Sequence, residues 1–143
     1  MRPIDKIIIH CSATPEGRPV TIEEIKEWHT APQPKGNNWS DIGYHYVIEL
    51  DGKAKVGRPL WRVGAHCKGQ NRKSIGICYV GGMKADMSKP KNTLNECQEQ
   101  SLVTLLTMLQ KQFKGATIHG HNEFSKKACP SFDVQEWLTK FDL

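Results

Sequence analysis

Lys6-Ile7-Ile8-Ile9-His10 is a short apolar run that ends on a polar side chain. Its length and unbroken apolar character predict a central strand buried on both faces. Working outward, helical and extended segments alternate. Thr21-Ile22-Glu23-Glu24 has the form of a capping box. It predicts a helix to about Thr30 that buries Ile22, Ile25, Trp28 and His29. Tyr44 to Leu50, Asp51-Gly52 and Lys53 to Val56 read as a hairpin with an Asp-Gly turn. Ser74 to Val80 is a further apolar strand, closed by Gly81-Gly82.

Thr93-Leu94-Asn95-Glu96 predicts a second capping box and the longest helix, Leu94 to Lys114, ended by Gly115. Leu102, Leu105, Leu106 and Leu109 form its core face. Ala116 to His119 reads as a short strand and Phe132 to Phe141 as a last helix. The expected architecture is α/β: one domain over residues 1–143, with a central mixed β-sheet flanked by helices and a site in a groove at the strand ends.

A chain of 143 residues has room for one hydrophobic core and little else. No apolar run is long enough to span a bilayer, so membrane insertion is not expected. Met1 to Asp5 leads directly into the first strand without a secretory signal, so synthesis in the cytoplasm is expected. The net charge of +5 is spread along the chain, apart from a short cluster at Lys68, Arg72 and Lys73. Without a basic stripe or interleaved aromatics, nucleic acid is not expected as a partner. A mild positive excess suits any anionic polymer. Five cysteines at irregular spacing argue against a disulfide framework and for buried thiols.

Three polar groups fall where strands run out into loops. His10 ends the first strand, His121 follows the strand at 116–119, and Cys129 precedes Pro130. Two imidazoles and a thiolate suit Zn²⁺, and three protein ligands leave the fourth position that a catalytic site needs. Spacing alone does not separate His119 from His121, which share one side of an extended chain. By the same alternation His10 and Cys11 point apart, which makes Cys11 a poor co-ligand. A cysteine hydrolase with Cys129 as nucleophile is the rival chemistry.

Longer strings reach further. His10-Cys11-Ser12-Ala13-Thr14, Gly43-Tyr44-His45-Tyr46 and Val63-Gly64-Ala65-His66 occur in that order. Ser74-Ile75-Gly76-Ile77, His121-Asn122-Glu123 and Lys127-Ala128-Cys129-Pro130-Ser131-Phe132-Asp133 follow. Together they resemble the type-2 N-acetylmuramoyl-L-alanine amidases, above all the short phage amidases of the T-seven lysozyme type, relatives of animal peptidoglycan-recognition proteins.

The resemblance implies that His10, His121 and Cys129 bind Zn²⁺ and that Tyr44 and Lys127 are the catalytic side chains. It gives His119 no ligand role. Some phage relatives resemble this chain except for a second histidine where Asn122 stands, and no effect on metal binding is expected. The implied reaction is hydrolysis of the amide between N-acetylmuramic acid and L-alanine in peptidoglycan, by a phage or prophage endolysin that reaches the wall once released. Lys127 would stabilise the oxyanion and Tyr44 would orient water or assist proton transfer. His66, in the loop before Gly69, is expected either at the rim of the groove, touching substrate, or simply packing that loop. A monomer is expected. The alternative is a peptidoglycan-binding module without catalysis, for which loss of the cysteine ligand is the mark; here Cys129 is present.

Overall fold

The computed structural model describes residues 1–143. The Lys6 run forms strand β1 (Lys6–Cys11), followed by the short β2 (Thr14–Pro15) and helix α1 (Ile22–Thr30). Next come the hairpin strands β3 (Tyr46–Ile48) and β4 (Ala54–Val56), then β5 (Ser74–Tyr79) and β6 (Gly82–Met83). Helix α2 (Glu96–Gln112), strand β7 (Thr117–Gly120) and helix α3 (Val134–Leu138) complete the chain. The main sheet has five strands in the order β4-β3-β5-β1-β7. β1 pairs in parallel with β5 and β7, β3 pairs in parallel with β5, and β4 is the antiparallel edge. The expected mixed sheet is present, with β1 at its interior.

Alternation along the strands divides the core. Ile7, Ile9 and Cys11 of β1 join Ile75, Ile77 and Tyr79 of β5 on one face, under Leu102, Leu106 and Trp137 of α2 and α3. On the other face Val47 and Cys78 pack with Val20, Ile25 and Ile42. Burying a side chain of this size stabilises the fold by roughly 1.5–3 kcal/mol. His10 therefore projects away from the larger core, on the same face of β1 as Ile8 and Lys6.

Two local expectations are corrected. In α1, Thr21 caps the helix by accepting the Glu24 N–H, but Trp28 stays 38% exposed and Ile25 is the helix's buried residue. The second capping box lies two residues later than expected, with Asn95 as the cap and Gln98 reciprocating. Thr93 is unavailable for that role because its hydroxyl accepts the Gly82 N–H at 2.8 Å. Gln98 is buried and also donates to the Val80 carbonyl at 2.9 Å, which ties the start of α2 to the end of β5.

Candidate metal centre and groove

His10 is carried near the C-terminal end of β1, the end at which open α/β sheets place their sites. His121 opens a 3₁₀ turn, His121–Glu123, directly after β7. Cys129 lies on the loop between that turn and α3. One donor atom from each of the three residues falls within 4.8 Å of the others, and the group could hold a metal ion.

The turn resolves the ambiguity between the two histidines. Strand alternation stops at Gly120, and the turn brings the His121 ring to 4.6 Å from that of His10. His119 faces elsewhere, between the Thr117 hydroxyl at 2.7 Å and the Glu123 carboxylate at 2.8 Å. Glu123 also accepts the Gly120 N–H at 2.7 Å, so His119 belongs to the bracing of the turn.

Hydrogen bonds orient the donors. Nδ1 of His10 is 3.8 Å from Cys129 Sγ, and its Nε2 is 2.9 Å from His66 Nδ1. The other His66 nitrogen meets the Ser74 hydroxyl at 3.3 Å. With Nδ1 of His10 facing the donor set as a ligand lone pair, its proton would sit on Nε2 and be donated to His66. Burial foremost, then the charges of His66, His121 and Lys127, hold His10 well below its ordinary pKa. Burial and Lys127 lower His121 as well. Both imidazoles are thus neutral near pH 7, the form that binds metal. The neighbouring Cys11 sulfhydryl, then burial, push the Cys129 thiol up. The Cys11 backbone N–H points at Cys129 Sγ at 3.2 Å, a donor suited to a thiolate.

The loop that carries Cys129 is itself anchored. Tyr79 donates its hydroxyl to the Pro130 carbonyl at 2.7 Å, and Ser131 donates to the Gly82 carbonyl at 2.8 Å. Asn122 donates to the Phe132 carbonyl at 3.1 Å, joining the His121 turn to the Cys129 loop. Sequence reasoning missed these contacts, and treated Asn122 only as a neighbour of a ligand. The Asn122-Glu123 string was the available signal.

A groove of about 610 Å³ runs beside the donors, with His121, Lys127, Trp39 and Phe124 in its walls. Lys127 is exposed and forms no ion pair; the adjacent Lys126 does not line the groove. Tyr44 stands outside that lining, with its ring 5.2 Å from His10. Burial, then the Cys78, Cys129 and Cys11 sulfurs, raise its phenol well above the ordinary value, so it is a proton-bearing donor at neutral pH. His66 contributes to the groove wall but is 9% exposed, with both ring nitrogens engaged beneath the surface. Its ring lies over Gly76, where an added Cβ would come within 2.5 Å of it. That contact gives the glycine of Ser74-Ile75-Gly76-Ile77 a physical reason.

Comparison with known proteins extends this geometry. The family described as Amidase_2, N-acetylmuramoyl-L-alanine amidase, matches residues 1–132. The endolysin of Escherichia phage T7 is 42% identical over 139 residues, covering 97% of this chain and 88% of that protein. The endolysin of Enterobacteria phage T3 is 40% identical with the same coverage. Among solved structures, the endolysin N-acetylmuramoyl-L-alanine amidase LysCS from Clostridium intestinale superposes with a TM-score of 0.80 at 26% identity. That superposition covers 99% of this chain and 86% of the other. With an ordered match of this length, and with the donor set and groove placed at the strand ends, the chain belongs to the N-acetylmuramoyl-L-alanine amidase family.

Proposed function

We propose that this protein is a Zn²⁺-dependent endolysin that hydrolyses the amide between N-acetylmuramic acid and L-alanine in peptidoglycan. The observation that carries the reading is the convergence of His10, His121 and Cys129 beside an open groove. The donor set fits the ion. In a tetrahedral site with ideal bond lengths, sulfur and nitrogen ligands stand about 3.6 Å apart; Cys129 Sγ and His10 Nδ1 are 3.8 Å apart. Two neutral imidazoles, one thiol with an N–H donor on its sulfur, and no fourth protein ligand match an open catalytic site. When bound, Zn²⁺ supplies Lewis acidity toward the amide carbonyl and lowers the pKa of a water molecule.

The protein's own groups divide the remaining work. The ammonium of Lys127, unpaired at the groove wall, stabilises the negative charge that develops on the amide oxygen. The Tyr44 phenol keeps its proton and can donate a hydrogen bond beside the donors. His66 fixes the ring of His10 through Nε2. Cysteine nucleophilic chemistry would use the same Cys129 sulfur that the metal reading engages, and it requires activity that survives a strong chelator. As an endolysin, the protein would meet its substrate at the cell wall. No helix is long and apolar enough to cross a membrane.

The test is digestion of purified walls, with mass analysis of the released peptides. Stem peptides with a free L-alanine amine are expected, activity should vanish in a strong chelator, and added Zn²⁺ should restore it. Full activity in chelator, or retention of metal and lysis by Cys129→Ala, would overturn the assignment.

A further inference from the structure

The Cys129 sulfur has neighbours on two sides. It stands 3.8 Å from Nδ1 of His10, inside the donor set, and 3.2 Å from the backbone nitrogen of Cys11. His10 and Cys11 are consecutive on β1, so their side chains leave the strand on opposite faces. The Cys11 side chain therefore misses the donors and enters the larger core, which Cys129 also borders. There the Cys11 and Cys129 sulfhydryls share a hydrogen bond. Cys11 Sγ also lies 3.8 Å from the hydroxyl of Ser131, on the loop that carries Cys129.

Packing keeps this pair of thiols together. Gly82 of β6 passes the Cys11 sulfur so closely that an added Cβ would stand 2.4 Å from it. Ser131 donates to the Gly82 carbonyl at 2.8 Å, which holds the Cys129 loop against the same strand. The other three cysteines are placed elsewhere. Cys78 packs with Val47 in the smaller core, Cys67 sits in the groove wall, and Cys97 is exposed at the start of α2. Cys11 is thus the thiol that Cys129 meets, and the proposed hydrolysis makes no use of it.

We propose that Cys11 and Cys129 form an oxidative modification site: a peroxide joins them as a disulfide, and the same bond takes the sulfur out of the donor set. Cys129 is half-buried and Cys11 only 5% exposed, so Cys129 meets the oxidant first. Its sulfur attacks one peroxide oxygen, the O–O bond breaks, and Cys129 sulfenic acid and one water result. The Cys11 sulfur then displaces the sulfenic oxygen, which forms the S–S bond and releases a second water carrying the Cys11 proton. Two electrons pass from the sulfurs to the peroxide; the hydrogens of the two waters come from the two thiols and the peroxide. Where Cys129 starts as a thiolate, solvent supplies its proton. A disulfide sulfur is not a thiolate ligand, so His10 and His121 alone remain of the donor set. That consequence rests on the metal reading, whereas the disulfide itself does not. A thiol reductant reverses the step, so the chain takes up metal when reduced and refuses it when oxidised.

The test treats the full chain, metal-free and loaded with Zn²⁺, with hydrogen peroxide under native conditions. Remaining thiols are then alkylated in denaturant, and the peptides are mapped by mass without reduction. A peptide crosslinked through Cys11 and Cys129 is expected from both samples. Zn²⁺ release, followed with a chromophoric chelator, should keep step with the crosslink, and dithiothreitol should reverse both. Cys11→Ala keeps the three donors and should bind Zn²⁺ within about twofold of the wild type; a melting curve checks that it is folded. After peroxide and then reductant it should regain less than about a fifth of its Zn²⁺ capacity, because an unresolved sulfenic acid advances to irreversible sulfinic acid. The wild type should regain most of its capacity. Absence of a crosslink in the wild type, a crosslink from Cys129 to another cysteine, or a Cys11–Cys129 crosslink that leaves Zn²⁺ bound overturns the inference. If the reduced chain binds no Zn²⁺, the metal reading fails instead. The map of the metal-free chain still decides the modification site: a Cys11–Cys129 peptide supports it, and its absence overturns it.

Discussion

Nδ1 of His66 lies 2.9 Å from Nε2 of His10, while the opposite nitrogen of His10 faces the Cys129 sulfur at 3.8 Å. One imidazole thus holds another by the edge that the metal would not use. The Ser74 hydroxyl, at 3.3 Å from His66 Nε2, completes the chain. Replacing His66 by alanine removes this support and leaves the buried Nε2 of His10 without its partner. Zn²⁺ affinity should fall by about 10- to 100-fold, measured by competition with a chromophoric chelator. Unchanged affinity would remove His66 from the metal centre.

Gly76 makes that arrangement possible, because an added Cβ would stand 2.5 Å from the His66 ring. Gly76→Ala should therefore destabilise the fold by about 1–3 kcal/mol through overpacking, read by urea denaturation. It should weaken Zn²⁺ binding in parallel. A stable variant with normal metal affinity would show that the ring can shift without consequence.

Lys127 and Lys126 are adjacent in sequence, but only Lys127 lines the groove. Lys127→Ala should retain Zn²⁺ and lower kcat by about a hundredfold or more, whereas Lys126→Ala should stay within about twofold of the wild type. Metal content by atomic absorption and steady-state rates on a soluble muramoyl peptide separate the two. Comparable losses from both would point to bulk charge rather than a placed ammonium.

His45 supplies a pH dependence outside the candidate donor set. Burial, followed by the Arg2 and Arg58 charges against an opposing hydrogen bond to the Arg62 carbonyl, lowers its pKa to about 4. The unfolded chain therefore binds a proton near pH 6.5 that the folded protein refuses until about pH 4. The stability linked to His45 is fully present above the unfolded value and is lost as pH falls through this window. Between pH 7 and pH 5 the loss should be about 2 kcal/mol. Metal-free wild type and His45→Gln, compared by denaturant titration at both pH values, give the contribution as a difference. Parallel pH profiles would exclude it.

The sequence by itself determined the strand order of events: an apolar run ending in His10, a hairpin turned at Asp51-Gly52, and a long leucine-faced helix. These signals are local, because periodicity and turn chemistry act over a few residues. The ordered strings also implied His10, His121 and Cys129 as one set. Tertiary structure decided what depends on distant contacts. Thr93 was drawn to Gly82, which moved the α2 cap to Asn95. The turn after Gly120 rotated His121 toward His10 and His119 toward Glu123, a choice that strand alternation left open. His66, expected at the groove rim, lines the groove while its ring nitrogens engage His10 and Ser74. A hydrogen bond across 56 positions has no local signature, since it forms only when the sheet brings its partners together.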